Sequence, residues 1–261
     1  MENYNDQNKV DRVEIEFYTD PLCCWSWAFE PHWRRLRYEY QGKIVWRYRL
    51  GGLLPDWKSY NDPVNSVSRP IQMGPVWTDV SHLSGMPIDS LLWFENPPES
   101  SYPACIAVKC AQLQSPDAAE AFLRLTREAV MKERKNIAKE DVLLEIGRKT
   151  AEEFSSIFNF EQFSEDMKEK KGREQFKEDI QKARYHQISR FPTLTLRKPN
   201  EPGVMIVGYR PYDSLVTALE QVAPGIEKTQ EIKTPEDYKN YWGESVSEGE
   251  INAAFAYEKS S

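Results

Sequence analysis

With 261 residues, 40% hydrophobic and 29% charged, the chain has the make-up of an ordinary globular protein able to bury a substantial core. Its formal net charge of −7 argues against nucleic acid or an anionic membrane as the main partner. No run approaches the roughly 18 apolar residues a membrane span needs.

Residues 1–10 are polar, read as a disordered lead-in, and carry no apolar stretch of a secretory leader, so the expected location is cytoplasmic. Val13–Tyr18 is β-branched and aromatic and reads as a strand. Trp25, Phe29, Trp33, Leu36 and Tyr40 then recur at helical spacing, predicting a helix over Trp25–Tyr40. Between them lies Asp20-Pro21-Leu22-Cys23-Cys24-Trp25-Ser26-Trp27, which delivers a cysteine at a strand-to-helix turn with a serine three residues on. Free backbone N–H groups and the positive end of the helix dipole favour a thiolate there, so Cys23 is the expected nucleophile, with a lowered pKa, and a buried or capping cysteine that is chemically inert is the competing reading.

Ile44–Leu50 alternates as a second strand and ends at Gly51-Gly52. The stretch from there to about Glu99 is rich in Pro, Gly, Trp and Ser and shows no clean period. Its length suggests a functional loop, with Arg69 as a candidate substrate contact and a structural cover as the competing reading. From Tyr102 to His186 every signal is helical, with a start at Ser115-Pro116-Asp117 and further helices over Asp141–Thr150, Glu161–Lys171 and Arg173–Tyr185. Pro192–Leu196 and Gly203–Val207 are then strands and Asp213–Val222 a helix. Thr234-Pro235 and Ser247-Glu248-Gly249-Glu250 open two more helices. The order β-α-β, helical block, β-β-α predicts an α/β, thioredoxin-like fold with helices inserted in its middle. The thioredoxin-like domain would span residues 12–54 and 187–224, the inserted loop and helical domain 55–186, and a C-terminal helical extension 225–261.

The Asp20-Pro21-Leu22-Cys23 loop, the Phe191-Pro192-Thr193-Leu194 strand entry and the inserted helices opening at Ser101-Tyr102-Pro103-Ala104 together resemble the DsbA-like and FrnE-like branch of the thioredoxin-fold superfamily. That resemblance implies that Pro192 is a cis-proline facing Cys23. It implies that the Phe191 backbone docks an extended substrate, with the bulky Phe191 side chain narrowing the groove. The activity implied is thiol–disulfide exchange with a thiol- or disulfide-containing protein or small molecule.

Ser26 breaks the family pattern, because a serine cannot attack a mixed disulfide. Its hydroxyl can still donate a hydrogen bond to the Cys23 sulfur. Dithiol oxidase chemistry through positions 23 and 26 is thereby excluded. A monothiol reaction with glutathione as co-substrate, isomerase-like shuffling and a non-redox role stay open. Trp25 and Trp27 flank the turn and are expected to wall an apolar cleft. Cys24 is either an accessory thiol or a small apolar core residue, the second being favoured. Cys105 and Cys110 fall ~140° apart around a helix and read as packing residues. His32, His82 and His186 are scattered, so no metal site is expected, and no cofactor beyond glutathione is implied. Two rival functions share this architecture: a glutathione-dependent transferase or isomerase of the kappa and hydroxychromene-carboxylate type, and an adaptor that delivers a regulator to a protease.

Overall fold

The computed structural model describes residues 12–243 and 246–255; the expected lead-in and the far end of the extension lie outside them. Strands β1 (Val13–Thr19), β2 (Ile44–Leu50), β3 (Thr193–Arg197) and β4 (Val204–Val207) form one sheet in the order β2-β1-β3-β4. β1 runs parallel to β2, with Val13 opposite Ile44 and Thr19 opposite Leu50, and antiparallel to β3, with Phe17 opposite Leu194. The alternation along β1 sorts its faces. Val13, Ile15 and Phe17 are buried, and Phe17 meets Phe29 and Trp33 of α1 (Cys24–Glu39) edge-on at 5.6 and 5.4 Å. Glu16 points to the other face, where Arg49 and Lys182 donate to it at 2.7 Å. Lys182 belongs to the helix Arg173–Tyr185, which covers that side.

The stretch expected to be one long loop is partly helical. After a 3-10 turn at Pro70–Gln72 come α2 (Met73–Ser84) and the short α3 (Leu92–Glu95). Gly74 and Pro75 in the first turn hide α2 from a periodicity reading, although a proline there forfeits no hydrogen bond. Gly74 lies under the Phe94 ring, which a Cβ would approach to 2.7 Å. Trp77 and Trp93 bury themselves edge-to-face at 5.2 Å beneath it, which anchors the segment in the main core.

The inserted helices are α4 (Tyr102–Gln114), α5 (Pro116–Met131), α6 (Glu140–Glu153), α7 (Phe160–Lys168) and α8 (Arg173–Tyr185). The Ser115 hydroxyl caps α5 by accepting from the Ala118 N–H at 2.9 Å. After β4, α9 (Tyr212–Val222) packs beside α1. The extension supplies α10 (Pro235–Trp242), opened by a Thr234/Asp237 capping box, and α11 (Glu248–Phe255). Ile232, Tyr238, Val246, Ile251 and Ala254 give these two helices a small core. Arg35 of α1 donates to the Ala254 carbonyl at 3.1 Å, so the extension lies against the helix that carries Cys23 at its start. Among the described residues no helix is long and apolar enough to cross a membrane.

Candidate functional site at the Cys23 turn

Cys23 is the N-cap of α1, with φ −79° and ψ 107°, and its sulfur accepts from the Ser26 backbone N–H at 3.4 Å. The Cys23 N–H donates to the Asp20 carbonyl at 3.1 Å, closing the turn between β1 and α1. On its other side the thiol donates to the Phe191 carbonyl at 3.5 Å. The Phe191–Pro192 peptide bond is cis. Two motifs far apart in sequence thus meet at one sulfur, because β1 and β3 are antiparallel neighbours and the end of β1 lies beside the start of β3.

Asp20 organises the turn from beneath. Its carboxylate is fully buried and takes the Leu22 N–H at 2.9 Å, the Leu53 N–H at 2.7 Å, the Ser101 hydroxyl at 2.8 Å and the Cys105 thiol at 3.3 Å. It therefore joins the Cys23 turn, the chain leaving β2 and the start of α4. Burial pushes its pKa up, against the pull of those four donors. Cys105, read from sequence as a packing residue, belongs to this cluster as a donor.

The electrostatics at Cys23 differ from the sequence expectation. Its residue is only 5% exposed, and burial pushes the thiol pKa above its ordinary value. The Ser26 side chain and N–H pull it down, Asp20 pushes it up, and Arg127 pulls it down. The helix start thus stabilises the thiolate less than desolvation opposes it. Ser26 is itself buried, and its hydroxyl lies close to the sulfur without completing a hydrogen bond of its own.

The remaining expected residues divide. Trp25 is half-buried beside the turn, with its ring 5.7 Å from that of Tyr209. Tyr209 in turn shares a 3.0 Å hydrogen bond with His32. Trp27, expected to wall a cleft, is fully buried instead: its indole donates to the Pro87 carbonyl at 3.1 Å and Arg124 lies over its ring at 4.6 Å. The Phe191 side chain turns away from the groove it was expected to narrow. It packs with Tyr18, Ala183 and Ile188 and covers Gly51, where a Cβ would come within 1.8 Å of the ring. Pro192 is buried. Cys24 lies in the main core, and burial holds its thiol well above the ordinary range. All four cysteines are free. Arg69 is exposed at the start of the 3-10 turn, its N–H held by Gln72 at 3.0 Å, and nothing among the described residues ties its guanidinium to Cys23. The long segment instead sends Tyr60 toward the site; burial first, then Asp62, and after it Cys23, Cys24 and Asp20 hold its phenol up. No local pattern marks Tyr60, Arg127 or Tyr209 in the sequence; only the topology brings them here.

A thioredoxin family model matches residues 17–217. The chain belongs to the thioredoxin family. Among curated proteins it is 30% identical to the ClpXP adapter protein SpxH of Halalkalibacterium halodurans, over 84% of this chain and 71% of that one. The SpxH of Bacillus subtilis is 28% identical over 88% and 74%. Among solved structures it superposes on the cytosolic disulfide reductase DsbM from Pseudomonas aeruginosa with a TM-score of 0.55 at 19% identity, covering 87% of this chain and 96% of that one. That likeness concerns the fold.

Proposed function

We propose that this chain is a ClpXP adapter of the SpxH kind: a thioredoxin-fold protein that binds a protein partner and does not turn over disulfides. The observation that carries this reading is the state of the catalytic turn. Position 26 is a serine, Cys24 is sunk in the core, and the Cys23 thiol is nearly buried with its pKa raised. A dithiol enzyme needs a low-pKa, accessible thiol and a second thiol to resolve the mixed disulfide. The likeness to SpxH over most of both chains supports the adapter reading. The partner is a protein, and the reading implies a cytoplasmic location alongside the protease.

A second reading is supported by the geometry around the sulfur. Cys23 at a helix start, with the Ser26 N–H on one side and the Phe191 carbonyl before a cis-proline on the other, has the layout of a monothiol exchange site. Glutathione would then be the co-substrate that resolves the mixed disulfide. One pair of assays separates the two. Cys23→Ser is expected to accelerate ClpXP degradation of a bound partner as well as wild type does, and the wild type is expected to show no catalysed reduction of a glutathionylated peptide. Loss of adapter activity together with measurable, Cys23-dependent reduction would overturn the proposal in favour of the second reading.

A further inference from the structure

We infer that Glu250, Arg34, Glu30 and Arg127 form a buried relay of alternating charge that ties the C-terminal helix to the turn carrying Cys23, with Arg127 the positioning residue at its inner end. Glu250 of α11 is fully buried and takes Arg34 of α1 at 2.8 Å, Arg124 of α5 at 2.7 Å and the Tyr238 hydroxyl of α10 at 3.1 Å. Although burial pushes its carboxyl up, Arg124 and Arg34 outweigh that and hold it low, so it is an anion. Arg34 continues to Glu30, at 3.7 Å. The other oxygen of Glu30 accepts from Arg127, which is fully buried and also donates to the Thr19 hydroxyl. Thr19 is the last residue of β1, directly before Asp20 and the Cys23 turn.

The cluster is balanced only with α11 in place. Arg34, Arg124 and Arg127 face Glu30, Glu128 and Glu250, all buried, with Lys132 at the rim 3.6 Å from Glu128. Removing one buried charge leaves its neighbours uncompensated. The position of α11 is itself fixed by a close approach: a Cβ on Gly249 would fall 2.3 Å from the Gly85 carbonyl, so the helix start abuts the end of α2. The charged and titratable groups around Cys23 include Asp20 below it, Cys24 beside it on α1, Tyr60 from the long segment, and Arg127 from α5. Arg127 is the cation of that set, and Glu250 is what completes the charge balance behind it. Undocking α11 would therefore leave excess positive charge behind the turn and favour the thiolate.

This inference does not need Cys23 to be catalytic, because the thiol can be titrated by the 13Cβ chemical shift of Cys23 in the full chain. Glu250→Gln and Glu30→Gln each remove an anion and are expected to move the Cys23 midpoint down by roughly half a pH unit. Arg127→Gln removes the cation and is expected to move it up by a similar amount, while Arg127→Lys keeps the charge and stays near wild type. Loosened packing alone would move every variant in the same direction. Shifts of one sign throughout, or no shift in variants that keep native circular dichroism, would overturn the relay and leave the adapter reading untouched. Where Arg127→Gln does not fold, Thr19→Val unties the same guanidinium without changing the charge, and an upward shift is expected from it; Glu30→Gln serves likewise for Glu250→Gln.

Discussion

Asp20→Ala removes the carboxylate on which the Cys23 turn, the chain after β2 and the start of α4 converge. Four donors lose their acceptor. The Ser101 hydroxyl has a fallback in the Leu54 carbonyl at 3.5 Å, and a thiol such as Cys105 is a weak donor whose loss matters little. The Leu22 and Leu53 N–H groups have no such alternative, and each buried orphan costs about 1–3 kcal/mol. Their sum is about 4 kcal/mol, and deleting a carboxyl that burial disfavours returns part of it. The expected loss is then about 3 kcal/mol, a large part of a typical total stability of about 5–15 kcal/mol. Urea unfolding followed by circular dichroism should show a lower midpoint with an unchanged slope. Asp20→Asn keeps one acceptor oxygen and should lose less. A loss under about 1 kcal/mol for Asp20→Ala would mean that the turn is held by its backbone alone, and the assignment of Asp20 as its organiser would fall.

Three further outcomes follow from named contacts. Ser26→Cys places a second thiol beside Cys23 in a position whose hydroxyl makes no hydrogen bond, so it should cost only about 1 kcal/mol. Oxidised glutathione should then close a disulfide between Cys23 and the introduced thiol, releasing two reduced glutathione molecules, which mass spectrometry would detect and which the wild type cannot do. Gly172→Ala drives a Cβ to 2.5 Å from the Ile106 carbonyl and 2.8 Å from the Cys110 N–H, both backbone, so thermal unfolding should report a loss of about 2–3 kcal/mol. Glu16 is held down at about 2 from an ordinary 4.5 because hydrogen bonds from Lys182 and Arg49 outweigh the burial that raises it. Its stabilisation is therefore present above pH 4.5 and lost as pH falls through about 2. With screening at a half-buried site, Glu16→Gln should cost about 1–2 kcal/mol near neutrality and nothing near pH 2, measured by urea unfolding across that range.

How much of this could be read in advance depends on whether the signal is local. β1, α1, β2, β3 and α9 were legible because one face of each is buried, and the apolar period records that directly: Val13, Ile15 and Phe17 alternate, while Phe29, Trp33 and Leu36 recur at helical spacing. The meeting of Cys23 with Phe191-Pro192 was legible only through the family resemblance, and the pairing of β1 with β3 is what brings it about. α2 was not, since Gly74 and Pro75 sit in its first turn and half of its outward residues are apolar, as the exposed Leu83 illustrates. The sign of the Cys23 pKa change was missed for a different reason. A helix start is a local feature, whereas desolvation is set by everything that later folds over the thiol, and at Cys23 the second is the larger. Trp27 illustrates the same asymmetry: its neighbour Trp25 lies two positions away on a different face of α1, and only the helix's orientation on the core decides which of the two meets the groove.

Asp20, Arg127 and Glu250 also bear on how a thioredoxin fold accommodates the proposed binding role. The thiol, the cis-proline and Asp20 come from the thioredoxin half, but the buried cation that acts on the thiol and the anions paired along its chain of contacts come partly from elsewhere. Arg127 lies on an inserted helix, and Glu250 lies on the extension. Exchanging the second thiol for Ser26 abolishes dithiol chemistry at one position without disturbing the Asp20 clamp, the Phe191 carbonyl contact or the buried arginines, because none of them bonds to the Ser26 hydroxyl. A scaffold organised in this way can lose turnover and keep the surface around the turn, where Trp25 meets Tyr209 beside the cis Phe191–Pro192 bond. Rigidity is what a binding site needs, since ordering costs subtract from affinity. The same independence means that activity cannot be inferred from the preserved turn, and the side chain at position 26 decides only whether dithiol exchange is open to it.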